Sequence, residues 1–160
     1  MQDLKEFLIE RGYQRIKLKR TATNHFEIKA SINGNKGRFI LDTGASKSCV
    51  GLEDIELFEL NTEESDHKAS GAGRDEIDTL ISSKNHVSIG KFKLKNIMLI
   101  LIDLKHINNA LEKQDVEPIQ GILGADILHK GKAIIDYNKK YLYLLNKKIS
   151  KLALQTTDIT

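Results

Sequence analysis

The sequence FILDTGAS, residues 39–46, joins an apolar run to an acid, a hydroxyl and a glycine. Residues 39–41 are typical of a buried strand, and Asp42 follows them where the chain begins to turn. A carboxylate at the end of a buried strand is a candidate for catalysis or binding. Asp, Gly and Ser are also ordinary turn residues, so this motif alone is weak evidence for a site.

Two later segments, SGAG at 70–73 and GILG at 121–124, stand in a fixed order after this motif. The first is a small-residue tip flanked by strand-like residues, and the second again leads two aliphatic residues into a glycine. In this order the three segments resemble the aspartic protease clan, specifically the retropepsins, whose chains carry one Asp-Thr-Gly each and assemble as homodimers. The sequence looks most like the bacterial retropepsin-like group, in which a helix and a strand precede the catalytic strand. The resemblance covers roughly residues 25 to 145.

The resemblance implies that Asp42 is the catalytic aspartate. It implies that Thr43 bonds across the dimer axis to the backbone of its counterpart. Gly44 would let the two loops meet, and Ala45 would add no bulk beside the carboxylate.

Two supporting elements are also implied by the resemblance. The catalytic loop would be held through the psi-shaped crossover of the fold by Ile122, Leu123 and Gly124. A flap that closes over the substrate would have its tip at Ser70, Gly71, Ala72 and Gly73.

The charges beside both motifs depart from the viral pattern. Viral retropepsins continue the first motif with acidic residues and place an arginine after the second glycine motif, and these charges form ion pairs near the dimer axis. Here the corresponding positions are Ser46-Lys47 and Ala125-Asp126. A pair between Lys47 and Asp126 is our hypothesis for what replaces that bridge.

The hydrophobic pattern predicts a β-rich fold with minor helices, either a small closed barrel or a sandwich. The resemblance implies a closed retropepsin-like β-barrel with one pepsin-like lobe per chain. We expect an N-terminal helix and strand extension over 1–24, a protease domain over 25–146 and a tail over 147–160. Strands are predicted at 13–18, 26–32, 38–41, 77–81, 87–89, 92–94, 97–102, 133–137 and 141–145, a hairpin turn at Asn33-Gly34, and helices between Asp3 and Gly12 and at 52–58, 104–112 and 125–130.

The composition describes a single globular domain of 160 residues, 40% of them hydrophobic, with one Pro and one Cys. A chain of this length buries enough apolar surface for a core without disulfides. The richest apolar run, residues 97–102, is far shorter than the roughly 20 residues of a membrane-spanning helix. Residues 1–20 lack the apolar core of a secretory signal, so we expect a cytoplasmic protein without membrane association. The single Cys49 agrees with a reducing compartment.

Other kinds of site have weaker support. The formal net charge of +3 is near balance, and no aromatic residues interleave the basic clusters, which disfavours a nucleic-acid partner. The five histidines lack metal-ligand spacing, so no metal or other cofactor is implied. Cys49 is interpreted as a small buried side chain rather than a nucleophile. Asp103, Asp126 and Asp136 are interpreted as helix-start or strand-end caps rather than second catalytic acids.

Two functions therefore compete. The first is an aspartic endopeptidase that hydrolyses polypeptide with a water activated by a two-Asp dyad formed across a homodimer. The alternative is a non-proteolytic dimeric module that binds peptides on the same fold. A basic nucleic-acid-binding β domain is a third, weaker hypothesis.

Overall fold

The computed structural model of the chain describes residues 3–69 and 77–146. These two ranges contain eleven strands and three helices. The strands are β1 (Tyr13–Lys17), β2 (Lys19–Arg20), β3 (Phe26–Ile32), β4 (Asn35–Leu41), β5 (Cys49–Gly51), β6 (Thr62–Ala69), β7 (Ile77–Ile89), β8 (Phe92–Ile102), β9 (Gly121–Leu123), β10 (Ile134–Asp136) and β11 (Tyr141–Leu145). The helices are α1 (Leu4–Glu10), α2 (Lys105–Glu112) and α3 (Ala125–Lys130).

Six strands close into a barrel in the order β3-β4-β9-β5-β8-β7. The barrel closes because β7 also pairs with β3, with Ser31 opposite Ser88 and Ile32 opposite Val87. The predicted closed β-barrel is therefore confirmed. Its interior is filled by buried side chains from all six strands, among them Phe26, Ile28, Phe39, Val50, Val87, Leu99 and Leu123.

The first hairpin of the barrel forms where the sequence predicts it. Strands β3 and β4 pair in continuous register from Phe26–Leu41 to Ile32–Asn35. Asn33 and Gly34 both have positive φ, 50° and 85°, which is the backbone of a type I′ turn. Because the turn residues supply this conformation, the strand that carries Asp42 is fixed in register from its far end.

Strands β7 and β8 are longer than predicted, since each joins two expected fragments. The polar residues that suggested breaks form irregularities in the β7–β8 register between Ser82 and Val87. Asn85 is only 3% exposed, and its amide donates to the carbonyl oxygens of Ser82 at 2.9 Å and Ile97 at 3.2 Å. A buried polar group with hydrogen-bond partners is tolerated within a sheet, so the strand continues past it.

A second, smaller sheet has the order β1-β11-β10. Tyr13 lies opposite Leu145 and Lys17 opposite Tyr141, so a strand from the N-terminal extension pairs with β11. The predicted helix before Gly12 is confirmed as α1, which buries Leu8. The proposed division at residues 24 and 146 stays a prediction.

Two of the three later helix predictions are confirmed, as α2 and α3. The third is wrong, because residues 52–58 form one turn of 3-10 helix at Leu52–Asp54 followed by irregular turns. Glu53 and Glu56 would place like charges three residues apart on a helix, which disfavours it. The irregular turns direct Phe58 into the core, where its ring contacts Phe39.

Helix α2 covers the outer face of the barrel behind the Asp42 strand. Leu111 of this helix and Ile119 of the following loop pack against Ile40 of β4 in a second buried cluster. Strand β4 is thus buried on both faces near its end. This packing makes the strand that leads into Asp42 a rigid support.

Replacing Gly121 with Ala should lower the free energy of unfolding by about 3 kcal/mol, the upper end of the usual cost of overpacking. A Cβ atom at this position would overlap the Cys49 carbonyl oxygen and come within 2.8 Å of the Phe39 ring. Urea denaturation measures the change. Lys36→Ala, on an exposed side chain of the neighbouring β4, is the control and should change stability by less than about 0.5 kcal/mol. A Gly121→Ala protein as stable as this control would contradict the packing described above.

Candidate active site

The loop that carries Asp42 connects β4 to β5, and β9 lies between these two strands in the sheet. β9 pairs in parallel with β4, with Phe39 opposite Gly121 and Leu41 opposite Leu123. On its other side β9 pairs antiparallel with β5. The chain therefore leaves the barrel after β4, forms the loop 42–48, and returns as β5 on the far side of β9.

Asp42 begins this loop and is bound at both its backbone and its side chain. Its N–H donates to the Leu123 carbonyl at 2.9 Å, which continues the β4–β9 pairing by one residue. One carboxylate oxygen, Oδ1, accepts the Gly44 N–H at 2.8 Å. Asp42, Thr43 and Gly44 are all exposed. The carboxylate is thus oriented by the backbone and accessible from outside.

Gly124 lets the chain segment after β9 approach the loop closely. A Cβ atom there would lie 2.5 Å from the Ala45 carbonyl oxygen, so a side chain does not fit. The same carbonyl accepts the Ala125 N–H at 2.7 Å. The structure therefore brings together two of the segments singled out in the sequence, Asp42–Ala45 and Ile122–Gly124.

Ser48 is a site residue that the sequence analysis did not identify. It is completely buried, and its hydroxyl donates to Asp126 Oδ1 at 2.7 Å and accepts the Gly124 N–H at 2.9 Å. The Ser48 N–H donates to Asp126 Oδ2 at 3.1 Å. No local pattern could reveal a pairing between residues 78 positions apart.

Among the described residues of one chain, Lys47 and Asp126 do not form the ion pair of our hypothesis. In the described part of the chain the carboxylate of Asp126 binds Ser48 instead. The acid next to the second glycine motif therefore ties the two motifs together within one chain.

The cap interpretation agrees with the bonds of Asp103 and Asp136, whereas Asp126 is bonded chiefly to the distant Ser48 and does not cap α3. Asp103 accepts the Lys105 N–H at 2.9 Å at the start of α2, and Asp136 accepts the Lys139 N–H at 2.8 Å in a turn. Asp126 lies in the first turn of α3 and accepts the Ile127 N–H at 2.9 Å. Asp42 is also bonded within its own turn, to the Gly44 N–H, and it differs from these three aspartates by lying on the loop between two barrel strands.

Comparison with known proteins identifies the family. A family model described as aspartyl protease matches residues 28–127. The chain belongs to this aspartyl protease family. No curated protein sequence matches it.

Three solved structures are similar to this aspartyl protease family member. A retropepsin-like aspartic protease from Rickettsia conorii is 25% identical, with a TM-score of 0.59 over 82% of this chain and 90% of that chain. The EIAV protease in complex with the inhibitor HBY-793 is 18% identical, with a TM-score of 0.53 over 74% and 98%. The retroviral protease-like domain of Ddi1 from Leishmania major is 15% identical, with a TM-score of 0.54 over 80% and 91%. The resemblance to retropepsin-like proteases is therefore confirmed.

Residues 70–73 lie outside the described residues. The resemblance implies that this segment is the tip of the flap. Its neighbours are described: β6 and β7 pair antiparallel, with Ala69 opposite Ile77. The role assigned to Ser70, Gly71, Ala72 and Gly73 stays a prediction.

Cys49 lies beside the acids of the site. Burial, together with the smaller effect of the negative charges of Asp126 and Asp42, raises the pKa of its thiol to about 11. Its Sγ lies 3.4 Å from the Lys47 carbonyl as a donor. A thiol with a raised pKa is protonated and unreactive at neutral pH, which agrees with the interpretation that Cys49 is not a nucleophile, although its side chain is half-buried rather than buried.

Cys49 should therefore react slowly with iodoacetamide at pH 7, and its rate should rise with pH until about 11. The reason is that only the thiolate reacts. The rate of alkylation as a function of pH, followed by mass spectrometry, measures this. A Cys49→Ala, Ser46→Cys variant places the thiol on an exposed residue of the same loop. The pH midpoint of its alkylation rate should lie near the ordinary thiol pKa of about 8.5. Equal midpoints for the two proteins would show that the environment of Cys49 differs from the one described.

Proposed function

We propose that the chain is an aspartic endopeptidase that acts as a homodimer, with Asp42 of each copy forming the catalytic dyad. The observation that carries the proposal is the Asp42 carboxylate itself. It is exposed on the loop that β9 supports, with one oxygen held by the Gly44 N–H. Membership of the aspartyl protease family supports the reaction class.

The chemistry of the proposed dyad follows from two like charges at close range. Two carboxylates within a few ångströms do not both remain ionised, so the pair shares one proton. The ionised member takes a proton from a water, which attacks the peptide carbonyl carbon. The protonated member donates to the carbonyl oxygen, and the tetrahedral intermediate then collapses with protonation of the leaving nitrogen. No covalent bond to the protein is formed.

The number of suitable carboxylates supports a shared site. The sequence contains one Asp-Thr-Gly, the aspartates at 103 and 136 are engaged as caps, and Asp126 is bonded to Ser48. A dyad made only of Asp42 side chains needs two chains. Because a two-fold axis places the same residue on both sides, one such motif per chain is sufficient.

The surface beside the loop suits a second copy. A groove of about 770 Å³ adjoins Thr43, and its walls include Leu128, Ala133 and Ile135. β10 is the edge strand of the smaller sheet, with β11 on one side only among the described strands. The groove is also lined by His129, Lys130 and Lys132, so its walls are mixed. Apolar side chains next to an edge strand are a surface that protein association buries.

The proposed substrate is an extended polypeptide, as the reaction class requires. No described helix is long and apolar enough to span a membrane. A cytoplasmic location stays a prediction from the sequence.

Asp42→Asn should abolish peptide cleavage and leave the fold intact, because the amide has nearly the shape of the carboxylate but cannot exchange the proton. Cleavage of a peptide library followed by mass spectrometry, together with thermal unfolding, measures both properties. Asp103→Asn, a similarly exposed cap, is the matched control and should retain activity. Wild-type turnover by the Asp42→Asn protein would show that this residue is not catalytic. Peptide binding without cleavage by the wild type would favour the non-proteolytic module.

Mixing wild-type and Asp42→Asn chains in equal amounts should reduce the activity of the wild-type protein to about half. Adding an equal amount of the variant doubles the number of dimers, and with free exchange about one quarter of them contain two wild-type chains. The number of dimers with two wild-type chains therefore falls to about half of its value before mixing. Activity and analytical ultracentrifugation are measured on the same samples. Activity that follows the amount of wild-type chain, together with an active 18.1 kDa species, would refute the shared site.

A further inference from the structure

We propose that Ser48 and Asp126 form a positioning pair that sets where the Asp42 loop sits relative to β9. The inference rests on the proposed function, because it gives the pair a role in placing Asp42 for the reaction. Neither residue would touch the substrate or the attacking water. They would act through the backbone of the loop.

Asp126 binds Ser48 through both oxygens of its carboxylate. Both oxygens of Asp126 accept from the same residue, Oδ1 from the Ser48 hydroxyl at 2.7 Å and Oδ2 from the Ser48 N–H at 3.1 Å. The Ser48 hydroxyl also accepts the Gly124 N–H at 2.9 Å. One hydroxyl therefore connects the end of the loop, the end of β9 and the start of α3.

The Ser48–Asp126 pair holds the end of the loop 42–48, and β9 holds its beginning. Asp42 is fixed by its hydrogen bond to the Leu123 carbonyl, and Ser48 by Asp126 and Gly124. Between these two points, the Ala45 carbonyl accepts the Ala125 N–H. The seven residues 42–48 thus have three anchors on the segment 123–126, and the Ser48 carbonyl also accepts the Ile100 N–H of β8 at 3.1 Å.

The burial of Ser48 makes its hydroxyl costly to remove. Its exposed fraction is 0%, so water does not reach the hydroxyl in the folded chain. Removing it leaves the Gly124 N–H and one Asp126 oxygen without this partner, and buried polar groups without partners are unfavourable. The loop would then shift to satisfy these groups or to admit water.

A small shift of this loop matters for a dyad. Two carboxylates that share a proton and a water must be placed to within about 0.5 Å, and a displacement of about 1 Å can reduce the rate about a hundredfold. A surface side chain of the same loop has no such effect. Ser46 is exposed, lies two residues from Ser48, and provides the matched control.

The test compares Ser48→Ala, Ser48→Thr and Ser46→Ala in the full chain. Ser48→Ala should lower kcat about 10- to 100-fold with KM changed less than about threefold, since the loss lies in placing the reacting groups. Ser48→Thr keeps the hydroxyl and should restore kcat to within about threefold of the wild type. Ser46→Ala should match the wild type. Steady-state kinetics are combined with thermal unfolding, so that activity is expressed per folded molecule.

A second readout does not depend on activity. Cys49 is the only cysteine and directly follows Ser48, so its alkylation rate at fixed pH reports how closely the loop is packed. This rate should rise at least about threefold in Ser48→Ala and be unchanged in Ser48→Thr and Ser46→Ala, because reactivity follows access to the thiol. If Ser48→Ala does not fold, Asp126→Asn replaces it. An amide offers one acceptor in place of two, so in either orientation one of the two Ser48 donors loses its partner, and this variant should lower kcat with little change in KM.

Three results would overturn the positioning role: wild-type kcat in folded Ser48→Ala, failure of threonine to restore kcat, or a Cys49 alkylation rate that Ser48→Ala leaves unchanged. A wild-type protein without any peptidase activity would instead refute the proposed function. The alkylation rates would still decide whether the pair holds the loop, so the two failures are distinguishable.

Discussion

The insertion of β9 between β4 and β5 is the constraint on which the rest of the site depends. Three backbones must pass side by side at residues 39–41, 49–51 and 121–123, and a side chain at Gly121 or Gly124 would enter space already filled by neighbouring atoms. The loop 42–48 has to cross the end of β9 to reach β5. Asp42 is exposed at that crossing because the strand pairing ends there while one backbone hydrogen bond, to Leu123, continues.

The sequence reveals the parts of this arrangement that depend on local chemistry. The alternation in β3, the Asn33-Gly34 turn and α3 are encoded by neighbouring residues, and the prediction places them correctly. Strands β2, β5, β6 and β9 are missed. β2, β5 and β9 have only two or three residues outside a longer strand-like run, and seven of the eight residues of β6 are polar, so neither pattern shows a strand period. β7 is predicted in pieces because Asn85 looks like a turn residue until its buried partners are known, and β8 because Lys95 and Asn96 interrupt its apolar pattern. The pairing of Ser48 with Asp126 joins distant positions, so it becomes visible only in three dimensions.

The acids around the loop have different environments, and this difference organises the site. Asp126 is bonded to Ser48 and to the start of α3, so its oxygens are occupied within the chain. Asp42 keeps one oxygen on the Gly44 N–H and faces outward. Between them the half-buried Cys49 is held as a neutral thiol, as its raised pKa indicates. One acid is therefore occupied by bonds within the chain, and the other remains exposed.

The pairing of β1 with β11 has a consequence for how the chain folds during synthesis. Tyr13 can pair only after Leu145 has been synthesised, whereas all six barrel strands lie before residue 124. Contacts between residues so far apart in sequence form late. As the chain emerges from the ribosome, the barrel can close first, with β1 still unpaired. The small sheet forms only when β11 has emerged, and it then joins the two ends of the described chain.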